Sequence, residues 1–308
     1  MKRFLLLALL LSTGCGDDNR VVLYDSYGSS ERFMIEGRVM EAEKRSPSKD
    51  SDAWHKNLWR SVSVLKNDEQ GDVKLVLSVG SHQANAISDE EGYFRVRMTQ
   101  AQPMPAGWHA VTVQGQRNQG NGQLLIVPKT NTLGVISDID DTVLVSDVTD
   151  KKKLLEKTFL QNHLQRQTFP GTADFYRQLL AQNPQPQEAP MFYVSASPRQ
   201  FSDSISAFLA QNQYPRGVLV TKLINGHGRD PLLDQQQYKL AKIESIFAAL
   251  PWVKFTLIGD DGEHDPEIYR TLQQKHPQRV AAIYIRKVHP DPQRKAYAGQ
   301  LDLAAAGR

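Results

Sequence analysis

The 308-residue chain contains a single cysteine, Cys15, so no intramolecular disulfide can hold its fold together. Its one marked apolar run, Phe4 to Leu11, is far shorter than the ~20 residues that span a bilayer as a helix. The net charge of only +3 gives nucleic-acid binding no electrostatic support. No collagen-like, disordered or repeat pattern appears. An ordinary hydrophobic content of 40% instead suggests packed cores, and the length suits about two domains at ~150 residues each.

What is present begins with Gly134-Val135-Ile136-Ser137-Asp138-Ile139-Asp140-Asp141-Thr142. Leu133 to Ile136 reads as a short buried strand, with Asp138 and Asp140 projecting past its carboxyl end, where open α/β sheets place their ligands. Such a carboxylate pair suits phosphate transfer. Asp138 can attack phosphorus, and Asp140 can protonate the leaving oxygen and later activate water. On its own the segment could equally be a turn or a helix cap.

Three further segments follow in order. Met191 to Ser195 is an apolar strand ending in a hydroxyl that can bond a phosphoryl oxygen, with Ser197 ahead of Pro198 as the better N-cap. Lys239 lies in an expected helix, Gln236 to Leu250, where an ammonium near the nucleophile would neutralise phosphate; Lys242 competes for that role. Phe255 to Ile258 runs into the acidic loop Gly259-Asp260-Asp261-Gly262-Glu263-His264-Asp265. Asp260 with Asp138 can offer the one or two carboxylates with which Mg²⁺ is usually held.

Together, Asp138-x-Asp140-x-Thr142, Ser195, Lys239 and Asp260 resemble the four motifs of the haloacid dehalogenase-like phosphatases. Ser137 to Thr142, Tyr193 to Pro198, Leu257 through Tyr269 and Ile283 to Arg286 resemble more closely the catalytic domain of the actin-patch-associated phosphatidate phosphatases. The resemblance covers roughly Leu133 to Val288. It implies Mg²⁺-dependent phosphomonoester hydrolysis with Asp138, Asp140, Ser195 and Lys239 catalytic, Asp138, Asp140 and Asp260 around the metal, and phosphatidate as the best-known substrate. Asp261 departs from the family, which carries Ser there; an added carboxylate can contact the metal or face solvent.

Lys2-Arg3, the apolar run and Ser12-Thr13-Gly14-Cys15 resemble a bacterial lipoprotein signal cleaved before Cys15, with Ser12 departing from the usual pattern. Acylated Cys15 would fix the exported chain to a membrane, and Gly16 leans towards the periplasmic face of an outer membrane. An ordinary signal peptide is the alternative.

The expected organisation is a signal over 1–14, a lipid-anchored tether over 15–32, a β-sandwich over 33–130, a phosphatase domain over 131–290 and a tail over 291–308. The sandwich rests on short strands at Phe33 to Met40, Ser61 to Leu65, Val73 to Val79, Gly92 to Met98, His109 to Val113 and Gln123 to Val127, with Asp89 to Gly92 closing a hairpin. It shows no site: His55, His82 and His109 lack ligand spacing, and Trp54, Trp59 and Trp108 read as packing. After Leu133 strands alternate with helices, giving a Rossmann-like parallel sheet with a small insert, Val143 to Pro190. Lys151 to Lys153 with Lys157 read as a solvated face or as attraction for an anionic surface. Arg199, Lys222 and Arg286 are candidate head-group contacts. The leading expectation is a phosphatase for phosphatidate or a related lipid phosphate. The rivals are a phosphatase for soluble periplasmic esters and a binding protein acting through the sandwich.

Overall fold

A computed structural model describes residues 19–40, 71–99, 102–116, 118–143, 168–198, 202–222, 235–288, 294 and 296–306. Cys15, the strand expected at Ser61 to Leu65, His55, Trp54, Trp59, Lys151 to Lys153, Lys157 and Arg199 lie outside the described residues. The described chain forms a mixed α/β structure with one large, mainly antiparallel sheet and one parallel sheet.

The first sheet holds β1 (Asn19–Gly28), β2 (Arg32–Met40), β3 (Lys74–Val79), β4 (His82–Ile87), β5 (Tyr93–Thr99), β6 (Gly107–Gly115) and β7 (Asn118–Ile126), in the order β4-β3-β6-β7-β1-β2-β5. Only β1 and β7 pair in parallel. The expected two-sheet sandwich is thus one continuous seven-stranded sheet. Its edge strands β4 and β5 are joined by residues 88–92, a link that reaches at most ~20 Å. A flat sheet of this width would put its edges almost 30 Å apart at about 4.8 Å per strand. The sheet therefore curls until β4 and β5 meet, enclosing a core with Ile35, Leu75, Leu77, Val111, Val113 and Leu124. The Asp89 to Gly92 turn forms, with Asp89 Oδ1 accepting from the Glu91 and Tyr93 amides at 3.0 and 2.8 Å. It joins opposite edges of the sheet, however, and does not close a hairpin.

The tether expected up to Arg32 is also corrected. From Asn19 to Gly28 the chain is β1, inserted between β7 and β2, because Val21, Tyr24 and Tyr27 find apolar surface to bury.

The second sheet contains β8 (Leu133–Ser137), β9 (Met191–Pro198), β10 (Val218–Lys222), β11 (Lys254–Asp260), β12 (Val280–Arg286) and β13 (Gln300–Asp302). Every pairing is parallel and the order is β10-β9-β8-β11-β12-β13, the doubly wound 3-2-1-4-5-6 arrangement. Its strands read as apolar runs because both faces are covered. One face buries Ile136, Phe192 and Leu257 against α3 (Gln235–Ala249) and α4 (Asp265–Lys275). The other buries Val135, Tyr193 and Ile258 against α1 (Thr172–Leu180), α2 (Ser202–Gln211) and α5 (Leu303–Ala306). The expected tail over 291–308 thus contributes β13 and a core residue, Leu303.

The two sheets share a core. Tyr27, Leu125 and Val127 join the apolar cluster under β9 and β11, and the Tyr27 and Phe192 rings meet edge to face at 4.9 Å. Arg216 lies 4.0 Å from the Trp108 ring centre and donates to Gln123 at 2.9 Å. Trp252 donates to the Pro128 carbonyl at 3.3 Å.

Candidate active site

In this strand order the chain leaves β8 and returns to β11 on opposite sides, opening a crevice at their carboxyl ends. Asp138 follows β8 and Asp260 ends β11, so both carboxylates stand at that crevice. The Asp138 amide donates to the Ile258 carbonyl at 2.8 Å, tying the turn to β11. Asp141 then takes a left-handed φ of 56°, which aspartate tolerates better than most residues. A helical turn follows, with the Val143 amide bonded to the Ile139 carbonyl at 2.9 Å.

Lys239, from α3, reaches the crevice wholly buried. Its ammonium donates to Asp138 Oδ1 at 2.7 Å and Asp265 Oδ1 at 2.8 Å, with Glu263 Oε2 at 3.6 Å. Of the two candidate lysines, Lys239 stands at the crevice and Lys242 lies 5.9 Å from the Tyr238 ring. Asp260 accepts from the Gly262 amide at 2.6 Å and from the Thr142 hydroxyl at 3.4 Å.

Asp265, quoted in the acidic loop but given no role there, completes the cluster. One carboxylate oxygen each from Asp138, Asp260 and Asp265 lies within 4.8 Å of the other two. Asp265 opens α4, where the positive helix end favours a carboxylate. Gly259 makes its approach possible, because a Cβ there would overlap the Asp265 carboxylate. The signal was this glycine together with an acid at a helix start before Pro266.

Asp140 is arranged differently from the metal set expected for it. Its Oδ2 accepts from Ser195 Oγ at 3.3 Å and Ser197 Oγ at 3.2 Å, and it stands outside the three-carboxylate cluster. Ser195 also accepts from the Ser197 amide at 3.0 Å. Ser197 is not the expected N-cap: β9 continues to Pro198 and α2 starts at Ser202. Asp261 leaves the cluster as well, its Oδ1 accepting from the Val288 amide at 2.7 Å.

Burial pushes the Asp138 carboxyl well above the usual range; Lys239 opposes this, and Asp265, Asp260 and Asp140 add to it. Burial also raises Asp260 and Asp265, again against the pull of Lys239. Burial disfavours the Lys239 ammonium, but Asp138, Asp265 and Glu263 outweigh it and hold its pKa well above the ordinary value. The cluster therefore carries more acid than one ammonium can balance, and its all-oxygen donors fit a hard divalent cation.

Behind the turn, the Ser137 hydroxyl donates to the Asp138 carbonyl at 2.6 Å and lies 2.7 Å from the Tyr176 hydroxyl. Thr168 Oγ1 donates to the Val143 carbonyl at 2.9 Å and lies 2.6 Å from the Tyr214 hydroxyl. Of the basic candidates, Lys222 lies near the Tyr238 ring at 5.7 Å. Arg286 donates to the Thr142 carbonyl at 3.2 Å and to Thr172 Oγ1 at 2.8 Å, and stacks 3.7 Å from the Phe169 ring centre.

Strand order and site together define a doubly wound α/β domain with a carboxylate–lysine centre at its switch point. Residues 133–287 match the family described as phosphatidate phosphatase APP1, catalytic domain, and the chain belongs to that family. Phosphatidate phosphatase APP1 of Saccharomyces cerevisiae is 32% identical over 156 residues, 50% of this chain and 26% of the yeast protein. An uncharacterized protein of Schizosaccharomyces pombe is 30% identical over 162 residues, 52% of this chain and 26% of its own length. The chain thus covers about a quarter of the length of these curated relatives. Among solved structures, a carbohydrate acetylesterase from Xanthomonas citri aligns at TM-score 0.29 and 11% identity, over 84% of this chain and 57% of that one. Invasin, a bacterial integrin-binding protein, aligns at 0.23 and 10%, over 41% and 20%. Likenesses this distant carry no argument.

Proposed function

We propose that the chain is a Mg²⁺-dependent phosphatase with a haloacid dehalogenase-like domain, acting on phosphatidate or a related lipid phosphomonoester. The observation that carries this is the buried grouping of Asp138, Asp260 and Asp265 around Lys239 at the switch point, within the residues that match the family. Asp138 Oδ1 is engaged by Lys239, which leaves the second carboxylate oxygen to attack phosphorus and form an aspartyl phosphate. Asp140, held by Ser195 and Ser197, protonates the leaving oxygen and then takes a proton from the water that opens the acyl phosphate. Lys239 fixes the nucleophile and offsets negative charge. Asp138, Asp260 and Asp265 would hold Mg²⁺, which when bound neutralises charge on the phosphoryl group.

The lipid assignment draws on the yeast relative's name and on the signal-like amino terminus ending at Cys15, which would anchor the enzyme near a bilayer at high effective substrate concentration. Phosphate release from purified protein tests it, with phosphatidate in mixed micelles beside soluble phosphomonoesters. Preference for phosphatidate, lost in excess chelator, supports the reading; preference for a soluble ester transfers it to a periplasmic phosphomonoesterase. Labelling cells with a fatty acid tests the anchor, and label retained by Cys15→Ser removes it.

A further inference from the structure

Beside the catalytic crevice lies a cavity of about 300 Å³, lined by Phe169, Pro170, Phe175, Leu303 and Ala304 together with Thr172 and Arg286. Arg286 ends β12 in register with Asp260 and bonds the carbonyl of Thr142, whose hydroxyl meets Asp260. The cavity is therefore one strand removed from the carboxylate cluster.

Arg286 is only 8% exposed. A guanidinium buried to this degree normally faces a carboxylate, because taking the charge out of water is costly unless it is paired. Among the described residues its hydrogen-bond and ring partners are a carbonyl, a hydroxyl and a phenyl face, while Asp302 and Asp260 act on it only through space. Asp302, the acid on the neighbouring strand, is paired instead with Lys287 at 3.3 Å. Burial draws the Arg286 pKa below its ordinary value, against the opposing pull of Tyr176, Tyr214, Asp302 and Asp260. Hydrocarbon walls beside a buried guanidinium that no described carboxylate hydrogen-bonds suit a ligand that is apolar along its body and acidic at one end.

We propose that this cavity is a second binding subsite, for a carboxylate or phosphate carried on a hydrocarbon or aryl body, with Arg286 recognising the acid and Phe169, Phe175 and Leu303 taking the apolar part. A bound acid would accept a charge-assisted hydrogen bond from Arg286, and its tail would displace water from the aromatic walls. The acid could belong to the far portion of a substrate or to a free amphiphile; both present the same chemistry.

Titration calorimetry with octanoate, octyl phosphate, octanol and inorganic phosphate tests this without measuring turnover, so it stands or falls separately from the phosphatase reading. Octanoate and octyl phosphate should bind in the presence of saturating Mg²⁺ and inorganic phosphate, and octanol should bind roughly ten- to hundred-fold more weakly because it lacks the charge-assisted contact. Arg286→Gln should remove the preference for the acids over octanol. Arg286→Gln also loosens the Thr142 turn, so Ala304→Trp, placed at the exposed rim, gives the second reading: it should block octanoate while leaving the melting temperature near that of the parent. Displacement of octanoate by inorganic phosphate, or unchanged octanoate binding in both variants, overturns the subsite. If octanoate binds and octyl phosphate is excluded from the phosphate-saturated protein, the cavity serves a free carboxylic amphiphile; if both bind and each displaces the other, it takes either acid at one shared site.

Discussion

Tyr27 of the first sheet meets Phe192 of the second edge to face, 4.9 Å between ring centres, and Phe192 continues the contact to Phe255 at 6.0 Å. β9, which carries Phe192, also carries Ser195, so the curled sheet braces a strand of the candidate site. Tyr27→Ala should cost about 3–5 kcal/mol, the usual loss for truncating a buried aromatic side chain. Urea unfolding followed by near-ultraviolet dichroism measures it. A change below about 0.5 kcal/mol, the range of an ordinary surface substitution, would show that the two sheets stand independently.

Asp138→Asn should abolish phosphate release while leaving the protein folded, since amide and carboxylate nearly match in volume. Asp140→Asn removes the proposed proton donor and should lower kcat by roughly 10²–10⁴-fold. That loss should shrink for substrates with good leaving groups, such as p-nitrophenyl phosphate, which need less protonation. An equal loss with good and poor leaving groups would assign Asp140 a role other than acid catalysis.

Stability should depend on pH and Mg²⁺ together. Asp138, Asp260 and Asp265 all have pKa values raised by burial. Their protonated forms are thus favoured in the folded state, and the stability they contribute is complete below the ordinary carboxylate value of about 3.9 and is lost as pH rises through the raised values. Lys239, also raised, keeps its contribution throughout that window and loses it only in alkali. Mg²⁺ competes with protons for the same oxygens, so its stabilisation should grow as pH rises through the range of those raised values, reaching ~2.7 kcal/mol at one hundred times its Kd. Melting curves with and without Mg²⁺ across that range decide it; a Mg²⁺ effect that shrinks as pH rises would contradict the cluster as its site.

Gly259→Ala places a methyl group against the Asp265 carboxylate. Relief requires Asp265 to move from Lys239, so the substitution should cost about 1–3 kcal/mol by overpacking. It should also weaken Mg²⁺ binding, measured by titration calorimetry. Parental stability together with parental Mg²⁺ affinity would exclude Asp265 from the cluster.

The parallel sheet was the more legible half of the sequence. β8, β9, β10, β11 and β12 announce themselves as apolar runs because both faces of each strand are covered, and the residues at their ends are the polar groups that gather at the crevice. β1 was obscured because Asp25 and Ser26 interrupt it and because its parallel partner β7 lies far along the chain. β4, His-Gln-Ala-Asn-Ala-Ile, is an edge strand whose core-facing side offers only the small, half-buried Ala84 and Ala86. The single curled sheet is visible only once the strand order puts β4 and β5 at opposite edges with five residues between them. At the site, the motif positions named Lys239 and Asp260, but the choice of Asp265 over Asp140 as third member of the cluster depends on where α4 begins and on the hydroxyls of Ser195 and Ser197, which turn Asp140 aside.

The bond from Thr168 to the Val143 carbonyl joins two points that are 25 positions apart in sequence. Tyr214 fastens this junction on its far side, so Val143 and Thr168 form a fixed doorway. Closing a longer excursion from a fixed doorway adds only about 0.6 kcal/mol for each doubling of its length. A foreign segment grafted between Val143 and Thr168 should therefore leave the Asp138 turn in place.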